Sequence, residues 1–147
     1  MNELFAKYNV PDEFDFLSVD IDGEDYWIIH SLDFNKYKPR VISVECNWHI
    51  HPDFKLVQKH NPNYTWSGTE IAGSSSSAIM ELLNKKNYTF VAYTGPDCIF
   101  VHNDEISKNN VIFENQNNPH KLGVLNGPII TTIDFQNNPF FTTDLQL

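Results

Sequence analysis

Residues 14–48, FDFLSVDIDGEDYWIIHSLDFNKYKPRVISVECNW, decide how the rest of the chain is read. Positions 14–21 carry Phe, Leu, Val and Ile with little polar alternation, which suits a strand covered on both faces and hence a parallel sheet. Asp22-Gly23-Glu24-Asp25 supplies a turn, and its acidic residues suit the positive end of a helix running to about Leu32. Lys38-Pro39 marks the helix exit, and RVISVE at 40–45 is a second β-branched run. The connection is long enough for a right-handed crossover. Strand, helix and parallel strand then place Asp20 and Asp22 at the carboxyl end of one strand and Glu45 and Asn47 at that of the next, with His49 and His51 just beyond. Ligands of open α/β sheets bind at such ends.

Outward from this unit, residues 2–9 space Leu4, Phe5 and Tyr8 on one helical face, stopped by Pro11 and Asp12. Residues 46–70 are rich in Asn, His, Pro, Trp and Tyr without a sustained period and read as a long loop, of the kind that is usually functional or disordered. In 72–86 a serine run precedes AIMELLNKK, where Ile79, Leu82 and Leu83 share a face; a helix capped by one of the serines is expected. NYTFVAY (87–93), the turn TGPD (94–97) and CIFVH (98–102) read as an antiparallel hairpin. The two units expected are an α/β body at 1–109 and an Asn/Pro/Phe-rich extension at 110–147, in which FENQNNPH (113–120) and DFQNNPF (134–140) echo each other.

The chain has 147 residues, 41% of them hydrophobic, which suits one globular domain with a true core. A net charge of -9 argues against a nucleic-acid partner, because phosphate-backbone binding needs clustered Lys and Arg. No run approaches the ~18 apolar residues of a membrane span, and MNELFAKYNV has neither the basic start nor the apolar stretch of a signal peptide. A cytoplasmic protein is the expectation. Cys46 and Cys98 sit in strand-like runs and read as buried thiols.

The order of phrases resembles the carboxyl-terminal half of FkbM-like S-adenosylmethionine-dependent methyltransferases. Those carry a phrase like SIDIDG before a Tyr-Trp helix, matched by SVDIDGEDYWIIHSL at 18–32, and one like KPRVVVIEYN, matched by KPRVISVECN at 38–47. A helix of the type SLxAL, a KGYxLV strand and a xAFFV strand are matched by SSAIMELL, KKNYTFV and CIFVHND. The resemblance covers roughly residues 3–104. It implies a partial Rossmann-like methyltransferase sheet, two parallel strands plus a C-terminal antiparallel hairpin with flanking helices, lacking the N-terminal cofactor-binding strands and their glycine-rich loop. The activity implied is methyl transfer from S-adenosylmethionine to a hydroxyl of a small-molecule or sugar acceptor, incomplete in this chain as written. A second polypeptide supplying the missing strands, or a homodimer, is the implied partner.

Within that reading Asp22, Glu45 and His49 are the candidates for catalysis, since a carboxylate or imidazole near the methyl can relieve a hydroxyl of its proton. Asp20, Asp22 and Gly23 are the candidates for cofactor contact. Asp20, Asp22, Glu45 and Asn47 are similar in kind to the acid and amide groups that hold magnesium in catechol-type methyltransferases; oxygen ligands favour Mg²⁺, while His49 and His51 would draw the set toward Zn²⁺ or Fe²⁺. In a regular strand one of the two aspartates must face away. Tyr26 and Trp27 are expected to pack on the sheet, and Trp48, Tyr64 and Trp66 to pack the loop or wall a ligand. The rival readings are a non-catalytic module associating through its uncovered sheet edge, and a metal-dependent hydrolase using the Asp, Glu and His cluster.

Overall fold

A computed structural model gives the fold and describes residues 1–109, 134 and 137–145. The elements in chain order are α1 (Asn2–Lys7), β1 (Glu13–Val19), α2 (Asp25–His30), β2 (Lys38–Glu45), β3 (Val57–Gln58), α3 (Ser76–Asn84), β4 (Tyr88–Tyr93), β5 (Asp97–His102), α4 (Asn103–Lys108) and β6 (Phe141–Thr142). Four strands form one sheet in the order β1-β2-β5-β4, and β3 pairs with β6 in a second sheet of two. The chain is therefore α/β with a mixed principal sheet.

β1 and β2 run parallel, in a register that sets Val19 beside Val44. β5 is antiparallel to both β2 and β4, so β4 shares the direction of β1 and β2 while β5 lies reversed between its neighbours. The β4–β5 hairpin expected from 87–102 is present, with an irregularity between Phe90 and Ala92. The core lies where apolar runs left no alternation: Ile42, Val44 and Phe100 are fully buried on the central strands, and Ile29, Ile79 and Leu83 cover them from the helices. Tyr26 and Trp27 pack into this core as expected, and each spends its polar tip on a backbone carbonyl, Tyr26 Oη on Leu145 and Trp27 Nε1 on Gln58.

Ser75 is the N-cap of α3, accepting the Ala78 N–H, and it also accepts the Leu56 N–H from the long loop. That second bond ties the loop to the helix start. The helix at the amino terminus departs from its expected packing: only Phe5 of the Leu4, Phe5 and Tyr8 face meets the core, against Phe14 and Tyr37, while Leu4 and Tyr8 are exposed. A six-residue helix presents little more than one turn to its neighbour, too little to bury a three-residue face.

The 46–70 segment is more ordered than its aperiodic text suggests. β3 forms within it by pairing with β6 from the extension, and Ile50, Leu56 and Phe141 make a second small core with Phe54, Ile71 and Phe140. The aromatic end of the extension thus packs on the body at residues 140–145, whereas the 113–120 copy of the Asn/Pro phrase lies outside the described residues. Among the described residues, no helix is long and apolar enough to cross a membrane.

Candidate functional site

β1 ends at Val19, and the chain turns back on itself before α2 begins. The Asp25 carboxylate organises this turn by accepting the Ile21 N–H at 2.8 Å and the Gly23 N–H at 2.9 Å. Asp22 has φ 59 and Gly23 φ 146, conformations that a turn this tight imposes. A Cβ at Gly23 would stand 2.5 Å from Tyr64 Cε1 and 2.9 Å from Gln58 Oε1, so the long loop presses directly on the turn.

The carboxylates of Asp20, Asp22 and Glu45 offer oxygens that all lie within 4.8 Å of one another. The parallel register explains the convergence, since Val19 stands beside Val44 and the next residues leave their strands side by side. A continuing strand would turn one aspartate away; β1 stops before either, and the left-handed Asp22 leaves its carboxylate near that of Glu45. Both aspartates therefore belong to the cluster.

Glu45 is half-buried and accepts the Asp22 N–H, yet its carboxyl is pushed up to about 7 by burial and then by the charges of Asp25, Asp20 and Asp22. Asp25 is also raised, chiefly by burial, against the lowering effect of its backbone N–H donors. A carboxylate poised near neutral pH is matched to accepting a proton from a bound hydroxyl. Asp20 and Asp22 are exposed; Asp22 lines the cleft beside Glu45, and Asp20, expected to contact a cofactor, joins the cluster without lining the cleft.

Asp22, Asp25 and Glu45 form one wall of a cleft of about 260 Å³ that Trp48, His49, Trp66 and Glu70 help to line. Asn47 serves the cleft differently from its expected role as a ligand. Its Nδ2 donates to the carbonyls of Glu70 and Ala72, and its Oδ1 accepts the His49 N–H, so the side chain clamps the loop. His49 lines the cleft, its ring tilted against that of Trp48 with centroids 3.9 Å apart, and its Nδ1 is buried without a hydrogen-bond partner among the described residues. His51 faces Asp53, with Nδ1 to carboxylate at 3.4 Å, and does not line the cleft. Of the three loop aromatics, Trp48 and Trp66 wall the cleft, while Tyr64 packs beneath the Gly23 turn and against Phe140.

Asp25 and Glu70 escaped the sequence reading. Asp25 had a signal in the DGED run, an acid two residues after a glycine that closes a strand; Glu70 sits in aperiodic text and had none. Cys46 and Cys98 are buried free thiols with Sγ atoms 3.1 Å apart, in keeping with the expected role. Comparison with known proteins adds no relative: no family model, no curated protein and no solved structure matches this chain.

Proposed function

We propose that the chain forms the acceptor side of an FkbM-like, S-adenosylmethionine-dependent methyltransferase domain, with the cleft at the ends of β1 and β2 holding a hydroxyl-bearing small molecule. The observation that carries this reading is the convergence of Asp20, Asp22 and Glu45 at the carboxyl ends of two parallel strands, where an open α/β sheet binds its ligand. Supporting it are the motif resemblance and the expected succession of parallel pair and hairpin in one sheet.

The residues present suit the acceptor and not the donor. A cleft of about 260 Å³ falls below the ~300–1,000 Å³ of drug-sized ligands, and no glycine-rich turn follows β1 or β2 to let a cofactor approach the backbone. What the chain's own residues do is position and deprotonate. Glu45, ionised in part at neutral pH, accepts the proton of an acceptor hydroxyl seated against it. Asp20 and Asp22 bring negative charge that a Mg²⁺ or Mn²⁺ ion would offset, and three oxygen donors of this kind fit such an ion. The Trp48 and Trp66 walls restrict the acceptor's orientation, which is where much of the acceleration of a two-body reaction arises.

The test is retention on immobilised S-adenosylhomocysteine, for the purified chain and for the tagged chain in extract of its native cells. Retention from extract but not of the purified chain is expected, because the donor grip has to be supplied from outside the described elements. Retention in neither arm overturns the methyltransferase reading, and tight retention of the purified chain overturns the acceptor-side assignment.

The interaction-module reading has an observation of its own. β1 is an edge strand of the sheet, and Phe16 on it is 56% exposed. A monomer by sedimentation at high concentration would remove that reading for a second copy of the chain.

A further inference from the structure

The walls of the cleft narrow the chemistry of what enters it. Asp22, Asp25, Glu45 and Glu70 contribute to the lining, and no Lys or Arg does. An anionic ligand would meet the neighbouring carboxylates of Asp22 and Glu45, with no compensating cation in the lining among the described residues. Aromatic surface is the second ingredient. Trp66 is 50% exposed although its indole N–H already donates to the Thr69 carbonyl at 2.8 Å, so what the residue has left to offer is its ring face. The third is an imidazole: His49 lines the cleft, and its Nδ1 is buried with no hydrogen-bond partner among the described residues.

Ring face and carboxylate together are complementary to an ammonium group, which is attracted to an indole face, pairs with carboxylate and donates up to three hydrogen bonds. A bare divalent ion would use the carboxylates and leave the tryptophan without a role. The volume sets the scale, since about 260 Å³ lies below the usual range of drug-sized pockets and suits a compact ligand. We propose that the cleft binds a small organic cation, an amino sugar or similarly compact hydroxylated amine, with its ammonium between Trp66 and the carboxylates of Asp22 and Glu45. The inference rests on the acceptor-side reading and names the substrate class of that same cleft.

The probe is glucosamine at pH 7.5, followed by tryptophan fluorescence and calorimetry, with glucose and N-acetylglucosamine as uncharged counterparts and MgCl₂ as a separate titrant. Saturable glucosamine binding is expected, with the uncharged sugars weaker by about tenfold or more, and with Trp66→Ala losing about fivefold while Trp66→Phe keeps most of the affinity. Trp66 is exposed, and an unchanged circular dichroism spectrum shows that its variants fold. Equal binding of glucose and glucosamine, no glucosamine binding up to tens of millimolar, or full affinity in Trp66→Ala overturns the proposal. Saturable Mg²⁺ binding without glucosamine binding overturns it too, leaving a metal site only. Failure here is separable from failure of the methyltransferase reading: retention on S-adenosylhomocysteine without glucosamine binding sinks this inference alone, and the reverse result sinks that reading while the ligand class stands.

Discussion

Replacing Glu45 by Gln removes the charge at the centre of the acidic cluster while keeping an oxygen to accept the Asp22 N–H. The Glu45 carboxyl is raised from the ordinary 4.5 to about 7, a difference worth at most about 3.5 kcal/mol at roughly 1.4 kcal/mol per tenfold. Solvent reaching a half-buried group screens that to about 1–2 kcal/mol. The sign follows from proton binding: the folded state holds the Glu45 proton more tightly than the unfolded chain, so the group favours folding below about pH 4.5, and this contribution is lost as pH rises through about 7. Glu45→Gln carries no such penalty at high pH. Urea denaturation should therefore find the variant about 1–2 kcal/mol more stable than the wild type at pH 8, with the two converging near pH 4.5. A divalent ion that uses the cluster should stabilise the wild type and spare the variant; at ten times its dissociation constant the gain is about 1.4 kcal/mol. A variant less stable at pH 8, or an offset identical at both pH values, would refute the account of a carboxylate strained by burial and by its neighbours.

Gly23→Ala should lower stability by about 2–5 kcal/mol, combining backbone strain at φ 146 with the overlap of the new Cβ on Tyr64 and Gln58. Adding Tyr64→Ala should relieve the overlap but not the strain, and denaturation midpoints of the single and double variants separate the two. Ser75→Ala removes the cap of α3 and orphans the Leu56 N–H, an expected loss of about 1–2 kcal/mol that a thermal melt would register. Cys46 and Cys98 should resist a thiol reagent in the native protein and both react after unfolding, because burial raises the Cys98 thiol and the acidic surroundings do nothing to lower it. Rapid labelling of the folded chain would show that the end of β2 opens to solvent.

The parallel pair was legible from two apolar runs joined by a helix; β2 is buried without alternation from Ile42 to Val44, but β1, expected to be covered on both faces, is an edge strand that buries Leu17 and Val19 and leaves Phe16 exposed. The helix at Ser76–Asn84 announced its start through a serine cap and its face through Ile79, Leu82 and Leu83. Less legible was the small β3–β6 sheet, which pairs Val57 with Thr142 and Gln58 with Phe141 across most of the chain, in text without a period. Loop order there comes from a few distant contacts, among them Gln58, buried with its side chain accepting the Gly73 N–H and donating to Glu24. No local pattern encodes such pairings. The same limit separated Asn47 from the ligand role its chemistry suggested, since carbonyls of residues 70 and 72 claimed its amide.

What the residues determined by themselves were the elements, their burial and the kinds of group that crowd the strand ends, because propensity, periodicity and capping act over a few neighbours along the chain. Only the tertiary structure decided that Asp20, Asp22 and Glu45 meet, that His49 lines a cleft while His51 turns to Asp53, and that Trp66 stands at the rim. Those outcomes depend on the register between β1 and β2 and on where β1 stops. Register is a relation through space between separate segments, and it is selected by the packing of the whole fold rather than by either segment alone.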